Sequence, residues 1–103
     1  MNHDKFSLWE LVLEPQETSI LHTHLSDYSF YISKGSDLAI YDINDKKVAE
    51  FACKSGDYFS FKLDKKTNTL IADHNPKIKI PATHKAQNIG NKRFEEILIE
   101  MKK

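Results

Sequence analysis

Several kinds of residue are scarce in this chain of 103 residues, and each scarcity excludes a class of protein. Cys53 is the only cysteine, so no disulfide can form within the chain, which indicates a reducing compartment. Arg93 is the only arginine among 15 basic residues, and 15 acidic residues balance them to a formal charge of zero. This balance argues against nucleic acid or an anionic membrane surface as a partner.

Long apolar runs are also missing. No run approaches the roughly 18 residues that a membrane-spanning helix requires, so we expect no membrane contact. Residues 1–5 lack the apolar segment of a signal peptide, and we therefore expect a cytoplasmic protein. The length predicts one domain over residues 1–103, because it suffices for one hydrophobic core and not for two.

Short apolar segments separated by turn residues make up most of the chain. Tyr28, Phe30 and Ile32 alternate with more polar side chains, which is typical of a half-buried strand. Turn signals recur about every eight to twelve residues, a spacing that predicts an all-β sandwich or barrel. Residues 94–101 are the exception, because their apolar side chains lie at helical spacing, and periodicity alone favours a helix there.

The sequence His22-Thr23-His24 is the most informative motif. On a strand, residues two apart project from the same face, so both imidazoles can bind one metal ion. An isolated pair of this kind is more often hydrogen-bonded or exposed, but His84 supplies a third imidazole next to a predicted strand. Three neutral imidazoles leave a divalent ion its full double charge and open coordination positions, which favours anionic or bidentate oxygen ligands.

Tyr28 and Asp27 are the candidates for a catalytic role beside this metal. An unbroken strand phase from the histidine pair places Tyr28 on their face and Asp27 on the opposite face, whereas a turn at Leu25-Ser26 would bring Asp27 inward. A phenol near a cation can act as a ligand, a hydrogen-bond donor or a general acid. The alternative for Tyr28 is a core aromatic whose hydroxyl has one partner.

These residues resemble the first motif of the cupins, a family of double-stranded β-helix (jelly-roll) proteins. That motif has His-x-His, a glutamate three or four residues later and then a glycine. His22, His24 and Gly35 stand at the family's spacing. Tyr28, preceded by Asp27, occupies the position of the glutamate.

The second cupin motif has a proline, a histidine and a later asparagine, and Pro81, His84 and Asn88 match that order. Two departures matter. The stretch from Pro81 to His84 is two residues shorter than usual, which would displace His84, and 24 residues separate Gly56 from Pro81. That interval has room for an extra hairpin around residues 64–68.

The resemblance implies a small single-domain cupin of the RmlC-like type. Residues 94–101 would then form the closing strand, and His22, His24 and His84 would hold iron, manganese, nickel or zinc. Iron would suit a dioxygenase, and the other metals an isomerase or a lyase acting on a small molecule. The alternatives are a non-catalytic module that binds or senses a small ligand, and a structural protein with a degenerate site. Cupin barrels commonly pair, so we also expect a homodimer.

Overall fold

Ten β-strands occur in the computed structural model, which describes residues 5–101. Within this range there is no helix, and hence none that could cross a membrane. The strands are β1 (Phe6–Leu13), β2 (His22–Thr23), β3 (Tyr28–Lys34), β4 (Asp37–Tyr41), β5 (Lys47–Ala52), β6 (Tyr58–Asp64), β7 (Thr69–Ala72), β8 (Lys79–Pro81), β9 (Thr83–Asn88) and β10 (Phe94–Met101).

The strands form two antiparallel sheets. The larger sheet has the order β1-β10-β3-β6-β7-β8, and the smaller one has the order β2-β9-β4-β5. Strands that are distant in the sequence are therefore neighbours in space, as in the pairing of β1 with β10. This arrangement confirms the all-β prediction and fits a jelly roll.

Residues 94–101 form β10, which confirms the closing strand and corrects the helix that periodicity alone favoured. Strand β10 lies between β1 and β3 and pairs with both. Phe94, Glu96 and Leu98 are buried, whereas the residues between them are more exposed. The burial thus follows a period of two, as in a strand. The backbone of β10 forms its hydrogen bonds with β1 and β3, whereas the backbone of a helix would form them within the segment.

The predicted extra hairpin is present between Gly56 and Pro81. Strands β6 and β7 pair from Asp64 with Thr69 to Phe61 with Ala72. Asn68 in the connecting turn has a φ of 52°, a left-handed conformation that asparagine adopts more readily than most residues. The hairpin extends the larger sheet and carries β8 at its outer edge.

Aromatic and aliphatic side chains fill the space between the sheets. The rings of Tyr28, Phe30 and Phe61 stack with centroids 5.4 to 6.1 Å apart. Phe94, Ile32 and Leu70 are fully buried nearby. Each such side chain contributes about 1.5–3 kcal/mol through its removal from water, so the fold does not depend on the polar groups of the site.

Residues 16–24 run along β9 and form one wall of the molecule. The backbone N–H groups of Gln16, Ser19 and His24 donate to carbonyl oxygens of β9 and of the residue before it, at 2.7, 2.7 and 2.9 Å. Only His22–Thr23 of this stretch forms a regular strand, β2. The pairing is interrupted because the Ser19 hydroxyl, rather than a backbone carbonyl, accepts the N–H of Ala86.

The side chain of Asn88, at the end of β9, connects this strand to neighbouring segments through hydrogen bonds. Its fully buried side chain accepts hydrogen bonds from the Ser36 hydroxyl at 2.8 Å and the Gly90 N–H at 3.0 Å. Its amide group donates to the carbonyl oxygens of Leu13 and Lys92 at 2.9 and 2.6 Å. The asparagine of the second motif therefore has a structural role here.

Candidate metal centre

Strand pairing brings His22, His24 and His84 together. His22 lies directly opposite His84 in the register of β2 and β9, and His24 follows His22 by one period of the strand. One ring nitrogen from each of the three lies within 4.8 Å of the other two. The short stretch from Pro81 to His84 does not displace His84 from this cluster. The predicted histidine cluster is thus present.

Hydrogen bonds fix the ring orientation of His22 and His84. The Nδ1 atom of His22 lies 2.9 Å from the Ile20 carbonyl oxygen, and that of His84 lies 2.7 Å from the Pro81 carbonyl oxygen. Because a carbonyl oxygen only accepts hydrogen bonds, each Nδ1 must carry the proton. Each Nε2 therefore keeps its lone pair for a metal.

Glu100 orients His24 in the same way. The Nδ1–H of His24 donates to Oε1 of Glu100 at 2.8 Å, from the inner face of β10. A carboxylate in this position holds the ring and makes its other nitrogen a better metal ligand. Sequence analysis missed Glu100 because 76 residues separate it from His24. Once residues 94–101 are recognised as a strand, their alternation places Glu100 on the buried face.

Burial keeps His24 and His84 neutral. Each is only 4% exposed. Burial, followed by the neighbouring imidazoles of His84 and His22, lowers the pKa of His24 to about 3. Burial lowers the pKa of His84 to about 4, although its hydrogen bond to Pro81 opposes this change. Metal binding therefore releases no proton from these two rings at neutral pH.

This donor set suits a divalent first-row transition metal. Two buried imidazoles and one partly buried imidazole present neutral nitrogen ligands whose other nitrogens are already hydrogen-bonded. Imidazole is a good ligand for zinc, iron, nickel and copper, and three of them leave coordination positions for water or a ligand. The three histidines therefore have the ligand type, protonation and outer hydrogen bonds that a transition-metal site requires.

A cavity adjoins the three histidines, and a groove adjoins His22 and His24. The inner cavity, of about 40 Å³, is lined by the histidines together with Tyr28, Glu96 and apolar side chains. It has room for an ion and water but not for an organic molecule. The adjoining groove, of about 590 Å³, lies between β1 and residues 17–24 and has the size of a typical small-molecule site.

Tyr28 lies deep in the inner cavity. Its ring stacks on that of His24, with centroids 4.1 Å apart and an angle of 6° between the planes. Burial, followed by the nearby Glu96 and Glu100, raises the pKa of Tyr28, so the hydroxyl keeps its proton at neutral pH. The ring is thus on the histidine side of β3, as strand alternation predicted, and its catalytic role stays a prediction.

The structure does not bring Asp27 to the histidines. Its Oδ1 accepts the backbone N–H of Leu63 at 2.8 Å, and its own carbonyl oxygen accepts the N–H of Met101 at 3.0 Å. Asp27 lines neither the cavity nor the groove. Its carboxylate fastens β6 to the start of β3, so any catalytic role for Asp27 would have to act through the backbone.

Glu96 is a site residue that sequence analysis missed. It is 6% exposed and lines both the inner cavity and the groove. Burial raises the pKa of its carboxyl group to about 8. An acidic residue within an apolar segment was the available signal, but the helical spacing concealed that Glu96 belongs to the buried face.

Comparisons with solved structures identify the fold. A cupin domain from Bordetella pertussis Tohama I superposes with a TM-score of 0.71 at 14% identity, covering 100% of this chain and 88% of the other. An RmlC-like cupin with a double-stranded β-helix fold from Methanocaldococcus jannaschii gives 0.57 at 14%, covering 98% and 73%. A sugar phosphate isomerase of the cupin superfamily from Silicibacter pomeroyi DSS-3 gives 0.57 at 16%, covering 97% and 52%.

These similarities establish the cupin fold, as the motif resemblance implied. No protein-family model matches the sequence. No curated protein is significantly similar to it. The function must therefore be inferred from the residues of the site.

The lowered pKa values of His24 and His84 predict that the metal-free protein loses stability in acid. In the unfolded chain both rings take up protons as the pH falls below their ordinary pKa of 6.5. In the folded chain His84 takes up a proton only near pH 4 and His24 only near pH 3. Unfolding by urea with a chelator present should show a loss of about 2 kcal/mol per histidine between pH 6.5 and 4.5. His24→Gln should lose correspondingly less than the wild type, and His74→Gln, on the surface, should match the wild type. Equal losses in His24→Gln and the wild type would contradict the prediction.

Proposed function

We propose, starting from the cupin fold of this chain, that the protein holds one divalent transition metal and uses it to bind a small organic anion. The metal would be iron, manganese, nickel or zinc, bound through the Nε2 atoms of His22, His24 and His84. The observation that carries the proposal is the hydrogen bonding of all three Nδ1 atoms, which leaves three lone pairs within one small cluster.

The charge of the site favours an anion as the ligand. The three imidazoles contribute no negative charge, and in the metal-free protein burial raises the pKa values of Tyr28 and Glu96. Glu100, which is bonded to His24, supplies one negative charge next to the cluster, so a divalent ion here would keep part of its positive charge in a region of low dielectric constant. A carboxylate or hydroxy acid in the groove would neutralise that charge, and the groove has the volume to hold it.

Catalysis would require the residues of the chain to position such a ligand. The bound metal would act as a Lewis acid, or as an oxygen-activating centre if it is iron. Apolar side chains of β1 line the groove and would exclude water from the ligand. Tyr28 would donate a hydrogen bond from the inner cavity to a carboxylate oxygen of the ligand that reaches the metal from the groove. Turnover of small hydroxy and keto acids would identify a dioxygenase, an isomerase or a lyase, and binding without turnover would identify a ligand-binding module.

We extend the proposal to the assembly and location of the protein. Strands β1 and β8 are the edges of the larger sheet, and β2 and β5 are those of the smaller one. Exposed edges invite pairing, and a homodimer would cover some of them. Cys53 is free and buried, which is compatible with the cytoplasm. We also propose that residues 1–103 form one domain.

Light scattering at micromolar concentration should therefore report twice the chain mass of 11.9 kDa. The expected dimer follows from the edge strands β5 and β8, which end the two sheets among the described strands. A mass that stays at that of one chain over this concentration range would contradict the homodimer. It would leave the metal proposal unaffected.

The purified protein should carry about one equivalent of a divalent transition metal at neutral pH. His22→Ala, His24→Ala and His84→Ala should each lower metal affinity more than about 100-fold, because loss of an outer partner alone lowers affinity 10- to 100-fold. Elemental analysis and competition with a chelator would measure both. Circular dichroism should show an intact fold, since the apolar core remains.

His74→Ala is the matched control, because His74 is exposed and does not line the cavity. It should retain the full metal content. Wild-type protein without metal, even after incubation with excess ion, would contradict the proposal. Histidine variants that fold and still hold metal would do the same.

Tyr28→Phe should keep the metal but weaken the binding of small carboxylates, because it removes only a hydroxyl from the inner cavity. The expected loss is about 10- to 150-fold, as for one hydrogen bond to a charged group. Asp27→Asn should change little, since the amide oxygen can still accept the N–H of Leu63. Calorimetry with the metal-loaded proteins would measure both. Loss of metal in Asp27→Asn with unchanged binding in Tyr28→Phe would reverse the assignment.

A further inference from the structure

Glu96 presents a buried carboxyl group that the described part of the chain leaves without a partner. The side chain forms no hydrogen bond and no ion pair with any residue from 5 to 101, although it is only 6% exposed. Its oxygens nevertheless retain some accessible surface, because no buried polar atom in this range is both enclosed and unbonded. The carboxyl group therefore faces space within the protein.

That space is the junction between the inner cavity and the groove. Glu96 lines both, and so do His22 and His24, whereas His84 and Tyr28 line only the inner cavity. A molecule that fills the groove and reaches towards the histidines must pass this carboxyl group. Glu96 is consequently better placed than Tyr28 to contact the ligand from the groove side.

The surroundings of Glu96 favour its neutral form. An ionised carboxylate without a partner in an apolar setting is strongly disfavoured, and burial raises its pKa to about 8. The other buried acids that respond to its charge are Tyr28 and Cys53, and burial raises both of their pKa values, that of Cys53 to about 12. Near neutral pH the proton of Glu96 is thus the one that a ligand or a change of pH can move.

We propose that Glu96 is the residue that recognises the organic anion, by donating a hydrogen bond from its protonated carboxyl group to a carboxylate oxygen of the ligand. This inference rests on the proposed function and names the ligand class as monocarboxylates and keto acids small enough for the groove. No covalent bond forms or breaks, and the proton is shared between the two carboxyl groups.

The chemistry of a carboxylic acid explains the choice of ligand. A neutral acid donates a short and strong hydrogen bond to a carboxylate, as in the carboxyl pairs that share one proton. An ionised Glu96 would instead repel the same ligand. A neutral ligand such as an amide gains a weaker hydrogen bond and does not experience the repulsion. Selectivity for the anion should therefore disappear once Glu96 loses its proton.

The test is a titration of pyruvate, with pyruvamide as the neutral counterpart, between pH 6 and pH 9.5. A bound dication lowers the pKa of Glu96 and the negative charge of the ligand opposes this effect, so ligand-detected NMR is applied first to the metal-free protein. The Co²⁺-loaded protein follows, with its visible absorption as the signal. Carbon-13 NMR of the glutamate carboxyl groups measures the pKa of Glu96 directly, and Glu96→Gln identifies its resonance.

Pyruvate affinity of the wild type should fall about tenfold per pH unit above the measured pKa of Glu96, because each unit removes nine-tenths of the protonated form. In Glu96→Gln the affinity should stay nearly constant over the same range, since an amide stays neutral and still donates. Pyruvamide should bind both proteins with little dependence on pH. Glu95→Gln is the matched control: Glu95 is the next residue on β10, is bonded to Lys34 and Arg93, and should behave as the wild type.

The outcomes separate this inference from the metal proposal. If Co²⁺ binds and Glu96→Gln has the affinity and pH profile of the wild type, the role of Glu96 is overturned and the metal centre stands. If no metal binds but pyruvate follows the Glu96-dependent profile, the role of Glu96 stands and the metal centre fails. If pyruvate binds neither form of the wild type, or the pKa of Glu96 is that of an exposed carboxyl group, the inference is overturned.

Discussion

The antiparallel pairing of residues 16–24 with β9 is the constraint on which the site depends. This pairing sets His22 opposite His84, and the period of the strand then brings His24 to the same face. A shift of one residue would turn both His22 and His24 outward. The register is held less by β2 itself, which has two residues, than by bonds on either side of it and by the buried side chain of Asn88. The asparagine therefore supports the histidines from several residues away.

Local patterns in the sequence predicted an all-β fold and the histidine cluster, but they did not predict β10 or the groups that surround the histidines. Alternation predicted β3, the hairpin after Gly56 was placed within its interval, and the spacing of His22, His24 and His84 indicated one cluster. Glu96 and Glu100 were missed for a single reason. Both reach the site only because β10 inserts between β1 and β3, a long-range pairing that no window of local sequence contains. The helical spacing of apolar residues in β10 further concealed which of its side chains face inward.

The same strand that completes the site also weakens the fold locally. The inward positions of β10 are Phe94, Glu96, Leu98 and Glu100, so two of the four carry carboxyl groups where an aliphatic side chain would pack. Glu100 is compensated by its bond to His24, whereas Glu96 has no partner among residues 5–101. Replacing a buried, unpartnered carboxyl group with an apolar side chain generally stabilises a protein. Natural proteins therefore keep such carboxyl groups mainly where they contact a ligand. The apolar stack of Tyr28, Phe30 and Phe61 offsets the loss.

The position of β10 in the chain has a consequence for the synthesis of the protein. During translation the two histidines of the first motif emerge early, but the strand that orients His24 and lines the groove emerges after all the other described strands. Because β1 pairs with β10, the larger sheet cannot close until both are available, and pairing over so long a separation folds slowly. A nascent chain thus exposes imidazoles without their carboxylate partner and without the walls of the cavity. Under the proposed function, the metal would be acquired only after β10 has been synthesised and has paired with β1.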